Sequence, residues 1–118
     1  MELSPRLAPR LARLPTITVA GYEVPVARTA WPRLLGLAWL DRDRAGTGLL
    51  IPGCRSIHTF GMRFAIEVVF LDPAQAEVGR RIVVGPGRII VDRRADSVLE
   101  LVLRPGEVEG GEVGRFPD

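Results

Sequence analysis

CRSIHTFGMRFAIEVVFLD, residues 54–72, decides how this chain is read. Its second half is apolar on both alternating faces. Phe64, Ile66, Val68 and Phe70 share one face, and Ala65, Glu67, Val69 and Leu71 share the other. A strand of that kind belongs inside a sheet that is covered on both sides. Its first half gathers the chain's one His, its one Cys and one of its two Met around Gly61, which predicts a turn or bulge feeding the strand.

Outward from this strand, short elements and turn signals alternate. Asp72-Pro73 predicts a type I turn with Pro at its second position. Strands are expected over Glu77–Val84 and Ser97–Leu103. The segment Arg88–Val91, after the turn Gly85-Pro86-Gly87, either extends the first of these or opens a new strand. Upstream, Gly48–Ile51 reads as a short apolar strand ended by Pro52-Gly53, and Ser56–Phe60 as another. Thr16–Ala20 and Tyr22–Ala27 form a hairpin around Gly21, with Pro25 marking an edge. Trp31, Leu34, Leu35 and Ala38 fall at helical spacing, so a short helix with one apolar face is expected from Ala30 to about Ala38, capped by Thr29. Asp41–Thr47 reads as a solvated loop, Pro105–Gly111 as a turn region and Glu112–Phe116 as a last strand. About eight short strands at this spacing predict a mainly β fold, a small jelly-roll-like sandwich or barrel with one short helix near residues 30–38.

The 118 residues suffice for one core, and 13 Gly with 10 Pro favour many tight turns. All 16 basic residues are Arg, with no Lys and no Asn, a pattern that a GC-rich coding sequence produces without any selection for phosphate binding. Residues 1–33 hold five Arg and two Glu, net +3; the rest hold eleven Arg and twelve acids, net −1. The excess basic charge therefore sits in residues 1–14, expected to be a flexible basic arm, ahead of a single β domain over residues 15–118. A nucleic-acid-binding body is not implied. Leu7, Leu11 and Leu14 have helical spacing, with Pro9 expected to end or kink any helix there. One Cys cannot make an internal disulfide or a Cys-pair zinc site. No apolar run reaches the roughly 20 residues that span a bilayer. A cytoplasmic location, no cofactor and no metal are the expectations.

His58 is the obvious proton-exchanging group, since histidine titrates near neutrality. As a general base it needs an orienting carboxylate, and Glu67, Asp72 and Glu100 are the candidates. The alternative is a structural imidazole. Cys54 and His58 would lie about 13 Å apart in an extended strand, out of reach of one another unless the intervening chain folds back. Glu67 is the anomaly on an apolar face and calls for an Arg partner, Arg63 or Arg81. Glu100 raises the same question. Thr59 and Gly61 look structural, and Met62 fills core or, with Phe60, walls an apolar pocket.

The segments GLLIPGCRSIHTFGMRFAIEVVFLD and VLELVLRPGEVEGGEVG resemble domain-of-unknown-function family 192, small proteins mostly of bacteria and archaea. The shared features are Ile57-His58-Thr59, Met62, Phe70-Leu71-Asp72, Leu99-Glu100-Leu101 before Gly106, and the upstream Arg33–Leu37, RLLGL. The resemblance spans roughly residues 15–116. It departs at Ala65-Ile66-Glu67, where the family has Pro, a hydrophobic residue and Asp, and at Gly114-Arg115, where it has Gly-Asp. It implies a mainly β fold and brings no established activity or cofactor. The functional expectation is a non-enzymatic module binding a small molecule or peptide, with a shallow pocket near a cluster of His58, Thr59, Met62, Glu67 and Glu100. The other reading is a small hydrolase-like enzyme using His58 with a carboxylate.

Overall fold

The computed structural model describes residues 7–103. It is mainly β, with eight strands and two short helices: α1 (Pro9–Ala12), β1 (Thr16–Val19), β2 (Tyr22–Pro25), α2 (Ala30–Leu35), β3 (Gly48–Pro52), β4 (Ser56–His58), β5 (Ile66–Leu71), β6 (Glu77–Val84), β7 (Ile89–Val91) and β8 (Ser97–Val102). A 3-10 turn, Arg42–Arg44, interrupts the loop before β3. The strand expected over 112–116 and the turn region at 105–111 lie outside the described residues.

The frame is a four-stranded antiparallel sheet in the order β3-β8-β5-β6. β5 is interior, flanked by β8 and β6, as its two apolar faces require. Two two-stranded sheets, β1-β2 and β4-β7, complete the strand set. The hairpin β1-β2 turns through Ala20 and Gly21, both at positive φ, a primed turn that suits the right-handed twist of its strands. Its Val19, Val24 and Val26 pack with Leu50, Val69, Leu71, Leu99 and Leu101 into one buried cluster. On the opposite face, Leu49, Ile51, Ile66, Val68, Phe70 and Val98 pack with residues from α1, from the segment after α2, and from β4 and the loop that follows it, among them Leu11, Leu37, Ala38, Ile57, Met62 and Phe64. The central sheet is thus covered on both sides.

Two expectations are corrected. Residues 7–14 are not a free arm. Pro9 opens α1 instead of ending it, because a proline in the first helical turn gives up no intrahelical hydrogen bond. Leu11 is only 2% exposed, and the Ala8 N–H donates to Arg44 O at 2.9 Å. The Arg10 guanidinium donates through Nη2 to the carbonyls of Gly36 and Ala38, at 3.1 and 2.5 Å. The apolar face expected on α2 is also not the buried one. The helix stops at Leu35 because Gly36 takes φ +53°, and the chain swings Leu37 and Ala38 inward. Trp31 and Leu34 consequently stand in solvent, 70% and 57% exposed.

Asp72 closes the β5–β6 turn as its sequence implies. Its carbonyl accepts the Gln75 N–H at 2.8 Å, and its Oδ1 accepts the N–H groups of Ala74 and Ala76 at 2.8 and 3.0 Å. Gly48 matters for β3: a Cβ there would lie 2.2 Å from Glu100 O, inside the neighbouring strand's backbone. Only glycine lets β3 and β8 approach at that point.

Candidate functional site

β8 alternates Val98, Glu100 and Val102 with Leu99 and Leu101. In register, Glu100 stands opposite Leu49 of β3 and Val68 of β5. That places it on the sheet face covered by the helices and β4, not on the hairpin face. Glu100 is 3% exposed, and its Oε1 has no hydrogen-bond partner among the described residues. Burial pushes its pKa up to about 8, so the carboxyl keeps its proton at neutral pH. Gly36 lies directly over it: a Cβ at Gly36 would be 3.2 Å from Oε1. Glycine there serves both the left-handed turn that ends α2 and the close approach of the carboxyl.

A small pocket of about 80 Å³ opens above this carboxyl between α2 and β4. Its polar lining is Arg33, Cys54, Ser56, His58 and Glu100. Cys54, Ser56 and His58 all line this space, Ser56 and His58 from β4 and Cys54 from the bent segment just before it. His58 Nδ1 accepts the Phe60 N–H at 3.3 Å, and the two rings stack with centroids 5.3 Å apart. That bond assigns the ring proton to Nε2. The Cys54 thiol donates to Ser56 O at 2.8 Å. Arg33 clamps the turn before β4, its Nη1 donating to Pro52 O and its Nη2 to Gly53 O at 3.2 Å.

The structure brings together two of the five residues singled out from sequence, His58 and Glu100. Thr59 lies elsewhere, fully buried: its Oγ1 donates to Gly85 O at 2.7 Å and accepts the Arg88 N–H at 2.8 Å, tying β4 to the turn before β7. Met62 is buried in the core and does not line the pocket. Glu67 is on the opposite sheet face. It pairs with Arg81 at 3.4 Å, in a group where Arg81 also holds Glu77 at 2.7 Å and the Tyr22 hydroxyl at 3.2 Å. Hydrogen bonding to Arg81 lowers the Glu77 pKa and raises that of Arg81. Arg63 takes Asp41 instead, at 2.9 Å. A cluster containing both Glu67 and Glu100 is therefore corrected, since the sheet separates them.

Arg33, Gly36, Cys54 and Ser56 are among the pocket residues that sequence reasoning does not place at the site. Cys54 lies four residues before His58, and the bend at Arg55 between them brings both against the pocket, which a distance counted along an extended strand does not foresee. No hydrogen bond joins His58 to a carboxylate among the described residues. Nor do any three or more His, Cys, Asp or Glu group there as metal ligands would. No helix among the described residues is long and apolar enough to cross a membrane.

Fold and pocket together define a small antiparallel β protein with one acid-floored recess. The chain is similar to a crystal structure of a protein of unknown function from Novosphingobium aromaticivorans DSM 12444, at 16% identity and a TM-score of 0.54, over 84% of this chain and 79% of that one. That likeness is one of fold. No family model matches the chain, and no curated protein matches it.

Proposed function

We propose that the chain is a small binding module whose site is the pocket between α2 and β4, accepting a small molecule or part of a peptide. One observation carries this: a carboxyl that is nearly sealed from solvent, without a partner on Oε1 among the described residues, lies against the floor of a recess that opens at the surface. An unsatisfied buried polar group costs about 1–3 kcal/mol, which a ligand able to hydrogen-bond it recovers. The test is a thermal-shift screen of metabolites against wild type and His58→Ala in parallel. A compound that raises the wild-type midpoint and not that of the variant supports the module; a broad screen in which nothing separates the two proteins overturns it.

A hydrolase-like reading has one observation in its favour, the shared lining of His58 and Glu100. It expects ester turnover that falls about a hundredfold in both His58→Ala and Glu100→Gln. Against it, Glu67 is engaged by Arg81 and Asp72 by its own turn, and the imidazole has no carboxylate partner among the described residues. We also propose membership of domain-of-unknown-function family 192, on the motif around His58 and on Leu99-Glu100-Leu101, and a cytoplasmic location.

A further inference from the structure

We propose that the pocket takes a carboxylate borne on a short apolar stem, seated against the Glu100 carboxyl with Arg33 and His58 beside it. This rests on the pocket being the binding site.

The polar lining is rich in donors, beside a Ser56 hydroxyl that can donate or accept. Arg33 is permanently charged and commits two of its five N–H groups to the Pro52 and Gly53 carbonyls. The one acceptor nitrogen of His58 is already taken by the Phe60 N–H, which leaves Nε2–H. Glu100 is the only acid in the lining, and burial holds it in its protonated, donating form. The charged and titratable groups around it are few. Arg33 comes from α2, Cys54 and His58 from β4 and the turn before it, and Arg10 from α1 reaches the Gly36 carbonyl. The sheet neighbours Leu49 and Val68 are apolar. None of these described groups hydrogen-bonds Oε1.

A protonated carboxyl facing an incoming carboxylate forms an O–H···O⁻ bond, about twice as strong as a neutral one. A cation would instead meet the Arg33 charge in the same small space, beside a carboxyl that carries no compensating negative charge while protonated. The remainder of the wall, Leu34, Leu35, Leu37, Ile51 and Ile57, is apolar and suits an aliphatic stem. At about 80 Å³ the recess is well below the roughly 300–1,000 Å³ of drug-sized sites, so the stem has only a few carbons. A free short-chain acid and the carboxyl end of a peptide share this chemistry.

The experiment is an NMR titration of the full chain with butyrate, butyramide and butylamine at pH 7 and pH 9. Two peptides ending in valine, one with a free and one with an amidated terminus, form a second arm. Butyrate is expected to shift the Gly36 and His58 signals. Its affinity should fall about tenfold from pH 7 to pH 9 as Glu100, titrating near 8, loses its proton. Glu100→Gln, whose amide still donates, should bind butyrate within about threefold of wild type with that pH dependence gone. A free-terminus peptide that binds more tightly than butyrate assigns the source to a chain end, and butyrate binding more tightly assigns it to a free acid; both support the proposal. Equal affinity for the free and amidated peptides overturns it. Butylamine binding that tightens with pH also overturns the carboxylate assignment while leaving the pocket a binding site. If none of the probes binds at this pocket, the proposal falls; if a thermal-shift hit also fails to map there, the binding reading falls with it.

Discussion

Glu67 and Glu100 sit on neighbouring strands one register step apart, since Glu67 pairs with Leu101 and Val68 with Glu100. Their fates are opposite. Glu67 projects toward the hairpin side, keeps a quarter of its side chain in solvent, and is met by Arg81, which also bridges to Glu77 and Tyr22. Glu100 projects toward the helices, lies almost wholly buried against Gly36 at the floor of the recess, and has an oxygen with no partner among the described residues. The same residue type is a neutralised scaffold element on one face and an unsatisfied group on the other. Which face a strand position occupies, more than which residue it is, decides whether a carboxylate is structural or available for binding.

The contrast is most sharply tested by pH. The Glu100 carboxyl titrates near 8 in the folded chain against 4.5 for an ordinary Glu. Between those values the unfolded chain has lost a proton that the native state keeps. Stability linked to this group is therefore full below about pH 4.5 and declines until about pH 8, by a few kcal/mol in all. Urea midpoints measured from pH 5 to 8.5 should show this decline in wild type and a nearly flat profile in Glu100→Gln. Equal slopes in the two proteins would break the comparison at its root. Next in size is Thr59→Val, which removes the hydroxyl partner of the Gly85 carbonyl and the Arg88 N–H in the dry interior. We expect a loss of about 2 kcal/mol by calorimetry, with the Arg81 group on the far face unaffected. Arg81→Met should cost about 1 kcal/mol at low salt and less at high salt, because its ion pairs are partly hydrated. A salt-independent loss of several kcal/mol would mean that Glu67 is as unforgiving as Glu100. The smallest effect is expected for Arg63→Ser, whose pair with Asp41 is open to solvent on both sides; its thermal midpoint should match wild type within error.

Much of the fold was legible in local pattern. The apolar double face of residues 64–71 marked an interior strand, and Gly21 and Asp72-Pro73 marked the turns that the chain makes. The helix region was misread because periodicity over Trp31, Leu34, Leu35 and Ala38 carries no information about Gly36, whose left-handed backbone ends the helix and turns the following residues inward. Proline within a helical spacing signals a break, but the place of Pro9 in the first turn makes it a starter. At the site, His58 and Glu100 were found by residue type. Grouping Glu67 with them failed for a topological reason: alternation gives faces within a strand, but the parity between two strands is fixed only by register. A span counted along an extended chain does not foresee Cys54, because the bend at Arg55 brings it to the same pocket as His58.

Arg10 spans from the first helix to the carbonyls of Gly36 and Ala38, and Gly36 is the lid on Glu100. The amino-terminal turn is thus a remote guardian of an acid ninety positions downstream in the chain. Clipping it, or swapping Arg10 for a residue without that reach, would slacken the lid, admit water, and drag the sealed acid back toward ordinary acidity. A cut far from the recess would in this way rewrite its charge.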